Sequence, residues 1–260
     1  MNWLRSLFAE TPPAPDDADT MRLADEAFAH GDVATALQLW GPLAHAGVAR
    51  AQANIGACFT TGTGVPHDDS LAVKWLTLAS DAGDMVGQRE LATLYFKGQG
   101  VPTDFPRAAE LYRLASEAGD ATAQDMLSWM LLEGEVMEFD SAEAQRWALA
   151  AAEQGVASAM TRLGMLYHNA IGVERDPAQA AAWWSKAAAA GDADGQAMLG
   201  AAYHLGAGVT RDPIGGLAML MRARNNGSAL ADPFIPSARA SLTAEQITEA
   251  ERRSELEPAP

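Results

Sequence analysis

The side chains of this chain that could do chemistry recur at a fixed interval. Asp32, Asp68, Asp104, Asp140, Asp176 and Asp212 stand 36 residues apart. Repeated carboxylates raise the question of calcium, a hard cation that takes about six to eight oxygen ligands. Each aspartate here lacks the clustered oxygen donors such a site needs, so no metal is expected. The loops GTGVPH and GQGVPT lack the third glycine of a dinucleotide fingerprint and follow a helical pattern, not a strand. No HExxH, GxSxG or Walker motif occurs, and the Ser, His and Asp residues show no triad spacing. Cys58 shares a column with Leu94, Met130, Leu166 and Ala202 and reads as a buried, inert thiol. His168 and His204 occupy one column in successive repeats. At about one helix-packing distance, ~10 Å, they are too far apart to share a metal and read as a loop-facing polar pair. No catalytic residue and no cofactor is expected, and the chain does not read as an enzyme.

The elements that position these columns share the period. Gly47, Gly83, Gly119, Gly155, Gly191 and Gly227 also stand 36 apart, as do Ala36, Ala72, Ala108, Ala144 and Ala180. A fixed interval in the range of about 20–50 residues marks a repeat architecture. One copy, Arg162 to Gln196, reads as a helix, a glycine-containing loop, a second helix and a glycine stop.

The pattern AQxxLGxxYxxGxGVxxDxxxAxxWxxxAAxxG resembles the Sel-one-like repeat family, relatives of the tetratricopeptide solenoids with a longer inter-helix loop. Gln52, Gln88, Gln124 and Gln196 open the motif; Tyr95, Tyr167 and Tyr203, with Phe59, match its aromatic; Trp75, Trp147 and Trp183 match its tryptophan. The resemblance covers roughly residues 20–228. It implies an all-α, right-handed α-solenoid of helix-loop-helix repeats with a 36-residue period. It also implies a non-catalytic scaffold or adaptor that binds another protein or peptide, in bacterial members a regulatory or envelope-related one.

Read residue by residue, the columns are structural. The aspartates sit where second helices start, and Asp176-Pro177 and Asp212-Pro213 combine an N-cap with proline at the first helical position. The column Gly56, Ala92, Ser128, Gly164, Gly200 is always small and reads as close helix approach. The second helix is expected to bury Ala180, Trp183, Trp184 and Ala187, and Trp147 and Trp183 are expected in the core between repeats.

Three parts follow: 1–19, a flexible segment and Pro-rich linker; 20–228, the repeat array; 229–260, a linker, a capping helix and a tail. Residues 241–257 read as the closing helix, with Thr243 and Gln246 forming a capping box. Lys and Arg number 18 against 34 Asp and Glu, a net charge of −16. So acidic a surface disfavours nucleic acid and anionic lipid and permits a basic partner. A single cysteine fits a reducing compartment, or simply a chain that needs no disulfide staples. The segment MNWLRSLF is too short for a signal-peptide core, and no run approaches the ~20 apolar residues of a membrane span. The cytoplasm is the expected location.

In tetratricopeptide-like solenoids the first helices line the binding face, so partner contacts are expected where first-helix columns vary. Positions spaced at four, three and four residues keep one helix face. That stripe offers Asn54, Glu90 and Lys97, then Met126, Trp129 and Glu133, then Arg162, Met165, Asn169 and Met198 as partner-binding residues. Trp129 is expected to be partly exposed. The repeat 120–155 deviates, carrying Val136-Met137 where Gly-Val stands elsewhere, so its loop is expected to change conformation. Two alternatives stay open: a hydrolase acting on envelope components, and a peripheral membrane protein anchored by residues 1–8.

Overall fold

The computed structural model describes residues 17–255. The amphipathic segment 1–8 and the tail 256–260 lie outside the described residues. Among the described residues there are fourteen α-helices, one short 3-10 turn and no strand. Twelve helices, each of thirteen residues, carry the repeats in chain order: α1 (Asp17–Ala29), α2 (Val33–His45), α3 (Ala49–Thr61), α4 (Asp69–Asp81), α5 (Met85–Lys97), α6 (Phe105–Glu117), α7 (Ala121–Glu133), α8 (Ser141–Glu153), α9 (Ala157–Asn169), α10 (Pro177–Ala189), α11 (Ala193–Leu205) and α12 (Pro213–Asn225), with α1 packed on α2, α3 on α4, α5 on α6, α9 on α10 and α11 on α12. A 3-10 turn (Ala229–Ala231), α13 (Ile235–Ala240) and α14 (Ala244–Glu255) follow. The chain divides into two compact units, one ending at Met137 and holding α1–α7, the other starting at Glu138 and holding α8–α14.

Every second helix starts on its aspartate. The carboxylates of Asp32, Asp68, Asp104, Asp140 and Asp212 each accept from an N–H three residues on, at 2.9–3.1 Å. Asp176 accepts from both Ala178 and Gln179 at 3.0 Å. Capping satisfies donors that no helical carbonyl reaches. The aspartate's own N–H is held too, donating to the carbonyl of Phe59, Tyr95, Tyr167 or Tyr203 at 3.0–3.1 Å. The aromatic column thus anchors the loop by its backbone as well as the core by its ring. The six glycines that end these helices all take positive φ, between 83° and 97°.

The core of the first unit gathers Leu37, Trp40, Ile55, Phe59, Leu76, Leu91, Leu111 and Tyr112. The second unit has one cluster around Trp184, Leu199 and Ala202, and another around Leu217, Leu220, Ile235 and Ala250. Close approach explains the small column. A Cβ on Gly56 would stand 2.6 Å from Leu76 Cγ, and one on Gly164 would overlap the Trp184 indole.

Four sequence expectations are corrected. Trp184 is the tryptophan of α10 in the core, 2% exposed, whereas Trp147 and Trp183 are only half-buried. The adjacent column Leu76, Tyr112, Ala148, Trp184, Leu220 is buried throughout. Trp147 and Trp183 lie at its edge, each with a cation over the ring: Arg146 at 4.6 Å and Lys186 at 4.0 Å. The histidines do not share a loop-facing role: the His168 ring lies 5.4 Å from that of Trp184, and His204 is buried near Ser237. The acidic stretch read as linker already enters α1 at Asp17, where acidic residues favour a helix N-terminus. The stretch 229–240, expected as linker, holds the helix α13, whose six residues are too few for a helical period to show in the sequence. The last described helix runs Ala244–Glu255, and at its start Thr243 and Gln246 cap each other at 3.0 and 3.3 Å.

Candidate protein-binding surface

A first helix buries one set of columns and leaves another open. In α3, α5, α7, α9 and α11 the residues Ile55, Leu91, Leu127, Leu163 and Leu199 are buried. The stripe at four, three and four residues stays partly or fully accessible in all five helices, except Ala201, which is 4% exposed.

In the first unit, Asn54 is half-buried and donates to the Asp25 carboxylate at 3.1 Å, an oxygen that also accepts from Trp40 Nε1 at 3.0 Å. Glu90 is half-buried and paired with Arg89 at 2.7 Å. Lys97 and Glu133 are exposed, while Met126 and Trp129 are half-buried, packed against the core with one side open. Trp129 meets Phe96 edge to face at 5.9 Å. In the second unit, Arg162 is half-buried, Asn169 is exposed, and Met165 and Met198 pack partly against the Trp184 cluster.

The first unit opens two pockets along this stripe. The larger, about 390 Å³, lies among α1, α2 and α3 and is lined by Asp25, Phe28, Trp40, Arg50, Asn54 and Thr61. Its aromatic wall is the Phe28–Trp40 pair at 5.2 Å. The smaller, about 170 Å³, is lined by Phe96, Phe105, Trp129, Glu133, Glu135 and Val136, among others. Concave sites that combine aromatic walls with convergent polar groups are a usual form of a binding pocket.

A second set of capping aspartates, not anticipated from sequence, stiffens the stripe. Asp84, Asp120 and Asp192 cap first helices α5, α7 and α11 through the N–H groups of Gly87, Ala123 and Gly195 at 2.6–2.9 Å. Each also takes a side chain from the preceding first helix: Arg50 at 2.8 Å, Arg89 at 2.7 Å and Thr161 at 2.6 Å. The readable signal was an Asp directly after the six-fold glycine in these three repeats. Burial pulls the Arg89 guanidinium down, but Glu90 and Asp120 more than offset this and hold it above its ordinary value. Burial also pushes the Cys58 thiol up to about 11, as expected for an inert core cysteine.

Among the described residues no group of three or more His, Cys, Asp or Glu is arranged to hold a metal ion. No described helix is long and apolar enough to cross a membrane.

The comparisons with known proteins agree with this geometry. The Sel1 repeat model matches residues 49–84, 86–120, 121–156, 157–192 and 193–228. No curated protein matches the chain. Two solved structures resemble it at 28% identity and a TM-score of 0.76. One is a protective antigen present in uropathogenic Escherichia coli strains displaying an SLR fold, matched over 92% of this chain and 53% of that one. The other is a Sel1 repeat protein from Oxalobacter formigenes, matched over 90% of this chain and 97% of that one. The chain therefore spans about half the length of the Escherichia coli antigen. A putative Sel1 repeat protein from Klebsiella pneumoniae subsp. pneumoniae matches at 20% identity and a TM-score of 0.50, over 77% of this chain and 97% of that one, a likeness of fold alone. Sel1 repeat proteins are in general non-catalytic scaffolds for protein interaction. With five consecutive matched repeats covering most of its helix pairs, this chain belongs to the Sel1 repeat family.

Proposed function

We propose that this chain is an adaptor that holds a segment of another protein along the first-helix stripe of its first unit. The observation that carries this reading is the pair of aromatic-walled pockets opening on that stripe, at α1–α3 and at α5–α7. Trp and Met half-buried at such a surface are typical interface anchors, and Trp129 and Met126 occupy that position. The second-unit residues Arg162, Met165, Asn169 and Met198 extend the same columns and are proposed as auxiliary contacts. A bacterial regulatory or envelope-related setting, reached from the cytoplasm, is the role we assign; the bacterial sources of the similar structures and the single cysteine support it.

The test compares captures from a lysate of the source cell by the full chain and by variants of matched stability. Thr61→Arg and Thr122→Arg place bulk on exposed stripe positions; Lys74→Glu and Glu110→Lys alter exposed positions on second helices. A specific partner should be retained by the wild type and the second-helix variants and lost by the stripe variants. Loss through the second-helix variants with retention by the stripe variants would move the site elsewhere.

A further inference from the structure

The deviant repeat explains why the smaller pocket exists. In four loops a glycine abuts the first residue of the second helix one repeat earlier. Gly64 meets Val33, Gly100 meets Asp69, Gly172 meets Ser141 and Gly208 meets Pro177. Each pair is separated by 31 residues, and each glycine has φ between 71° and 75°, or 70° for Gly100. A Cβ on Gly100 would lie 2.6 Å from the Asp69 carbonyl oxygen, so only glycine allows this closure. The fifth loop places Val136 opposite Phe105 at the same interval. Val136 does not adopt positive φ, a region closed to β-branched residues at ordinary cost. The loop therefore cannot seat against the start of α6, and a pocket of about 170 Å³ stands there, lined by both residues.

What lines it has a definite chemistry. Phe96, Phe105 and Trp129 form a run of edge-to-face rings, with centroids 5.3 and 5.9 Å apart. Glu133 and Glu135 stand at its rim, both exposed and with no ion-pair partner among the described residues. Phe96 and Glu133 belong to the last turns of α5 and α7, where helix dipoles add negative potential, and Trp129 lies one turn before Glu133. The opposing N-terminus of α6 is capped by the Asp104 carboxylate. Aromatic faces and carboxylates together select a cation over a neutral apolar group. The volume is below the range of about 300–1,000 Å³ for pockets that enclose a whole small molecule, so one long side chain suits it.

We propose that this pocket is an anchor site for a single lysine or arginine side chain of the protein partner, opened by the loss of the loop glycine at position 136. The proposal deepens the adaptor reading and rests on it for the source of the cation. The net charge of −16 favours the approach of a basic segment.

The experiment titrates the full chain with the probes Nα-acetyl-lysine amide and Nα-acetyl-arginine amide, with the neutral isosteres of norleucine and citrulline as controls. Chemical shifts of the Trp129 indole and of the 133–136 amides are followed by NMR. The cationic probes should give saturable shifts there, and the neutral ones should bind at least about fivefold more weakly. Phe105→Ala, at an exposed ring, and the pair Glu133→Gln with Glu135→Gln should each weaken the cationic probes about threefold or more, with a far-UV circular dichroism spectrum confirming that each variant is folded. Equal shifts from charged and neutral probes, or no saturable shift from either, would overturn the proposal. Tighter binding of spermidine than of a lysine-containing peptide would assign the pocket to a free polyamine and also overturn it. If the probes fail while the stripe variants still lose a partner, the adaptor reading stands and only the cation site falls. If the probes bind and no partner depends on the stripe, the pocket's preference for a cation stands, and the adaptor reading falls together with the assignment of that cation to a protein partner.

Discussion

Replacing Trp184 and Trp183 in turn separates two adjacent side chains that the sequence reading expects to be buried alike. Trp184 is 2% exposed, and its indole packs over Gly164, where no side chain can move in to fill a void. Truncating so buried an aromatic costs about 3–5 kcal/mol, toward the upper end where the site cannot collapse. Trp183 is half-buried with the Lys186 ammonium 4.0 Å from its ring centroid. Its loss removes a cation–π contact of about 0.5–1 kcal/mol and part of one ring's burial, about 1–1.5 kcal/mol in all. In urea, with a slope of about 2 kcal/mol per molar, Trp184→Ala should lower the midpoint by about 1.5–2.5 M and Trp183→Ala by about 0.5 M. Far-UV circular dichroism is the readout. Trp184→Leu should recover about half of the loss, because Leu76 and Leu220 pair with Gly56 and Gly200 in equivalent places. Gly164→Ala should destabilise the wild type and be nearly neutral beside Trp184→Ala, a coupling of about 1 kcal/mol or more. Equal costs for the two tryptophans, or an additive cycle, would refute this account of the small column.

Three further outcomes are expected. Asp176→Ala should cost about 0.5–2 kcal/mol by urea denaturation, whereas Asp120→Ala should cost at least about 1 kcal/mol more, because it also strips a charge-assisted bond from half-buried Arg89. Equal costs would mean that the Arg89–Asp120 contact contributes nothing. Cys58, with its thiol raised by burial to about 11 from an ordinary value of 9.0, should react with a thiol reagent at pH 8 about 100-fold more slowly in the native chain than in denaturant. The sign follows from an acid held neutral: the native state binds the proton more tightly, so stability falls as pH rises through about 9 toward 11. Trp129→Ala should lower stability by about 1–2 kcal/mol, because Trp129 packs on the core and on Phe96 while one side stays open. A change near zero would place the ring wholly in solvent.

Much of this protein is legible in the sequence because a repeat states its rules several times over. Six aspartates at one interval can only be a shared backbone role, and capping is local chemistry that needs no distant partner. The same holds for the terminal glycines and for the Thr243–Gln246 box. The accessible stripe also followed from spacing, since a helix face is set by the 3.6-residue turn. Tertiary structure decided what depends on the neighbouring helix. Trp183 and Trp184 are adjacent in sequence, and only the position of Gly164 shows which one enters the core. Asp84, Asp120 and Asp192 take a second partner only because the preceding first helix supplies Arg50, Arg89 and Thr161. Val136 was visible as a departure from the pattern. Its consequence, a pocket between Phe105 and Trp129, required knowing that the missing glycine elsewhere closes against a residue 31 positions back. Period and caps are written in one dimension, whereas closure between non-consecutive segments is settled only where backbones meet.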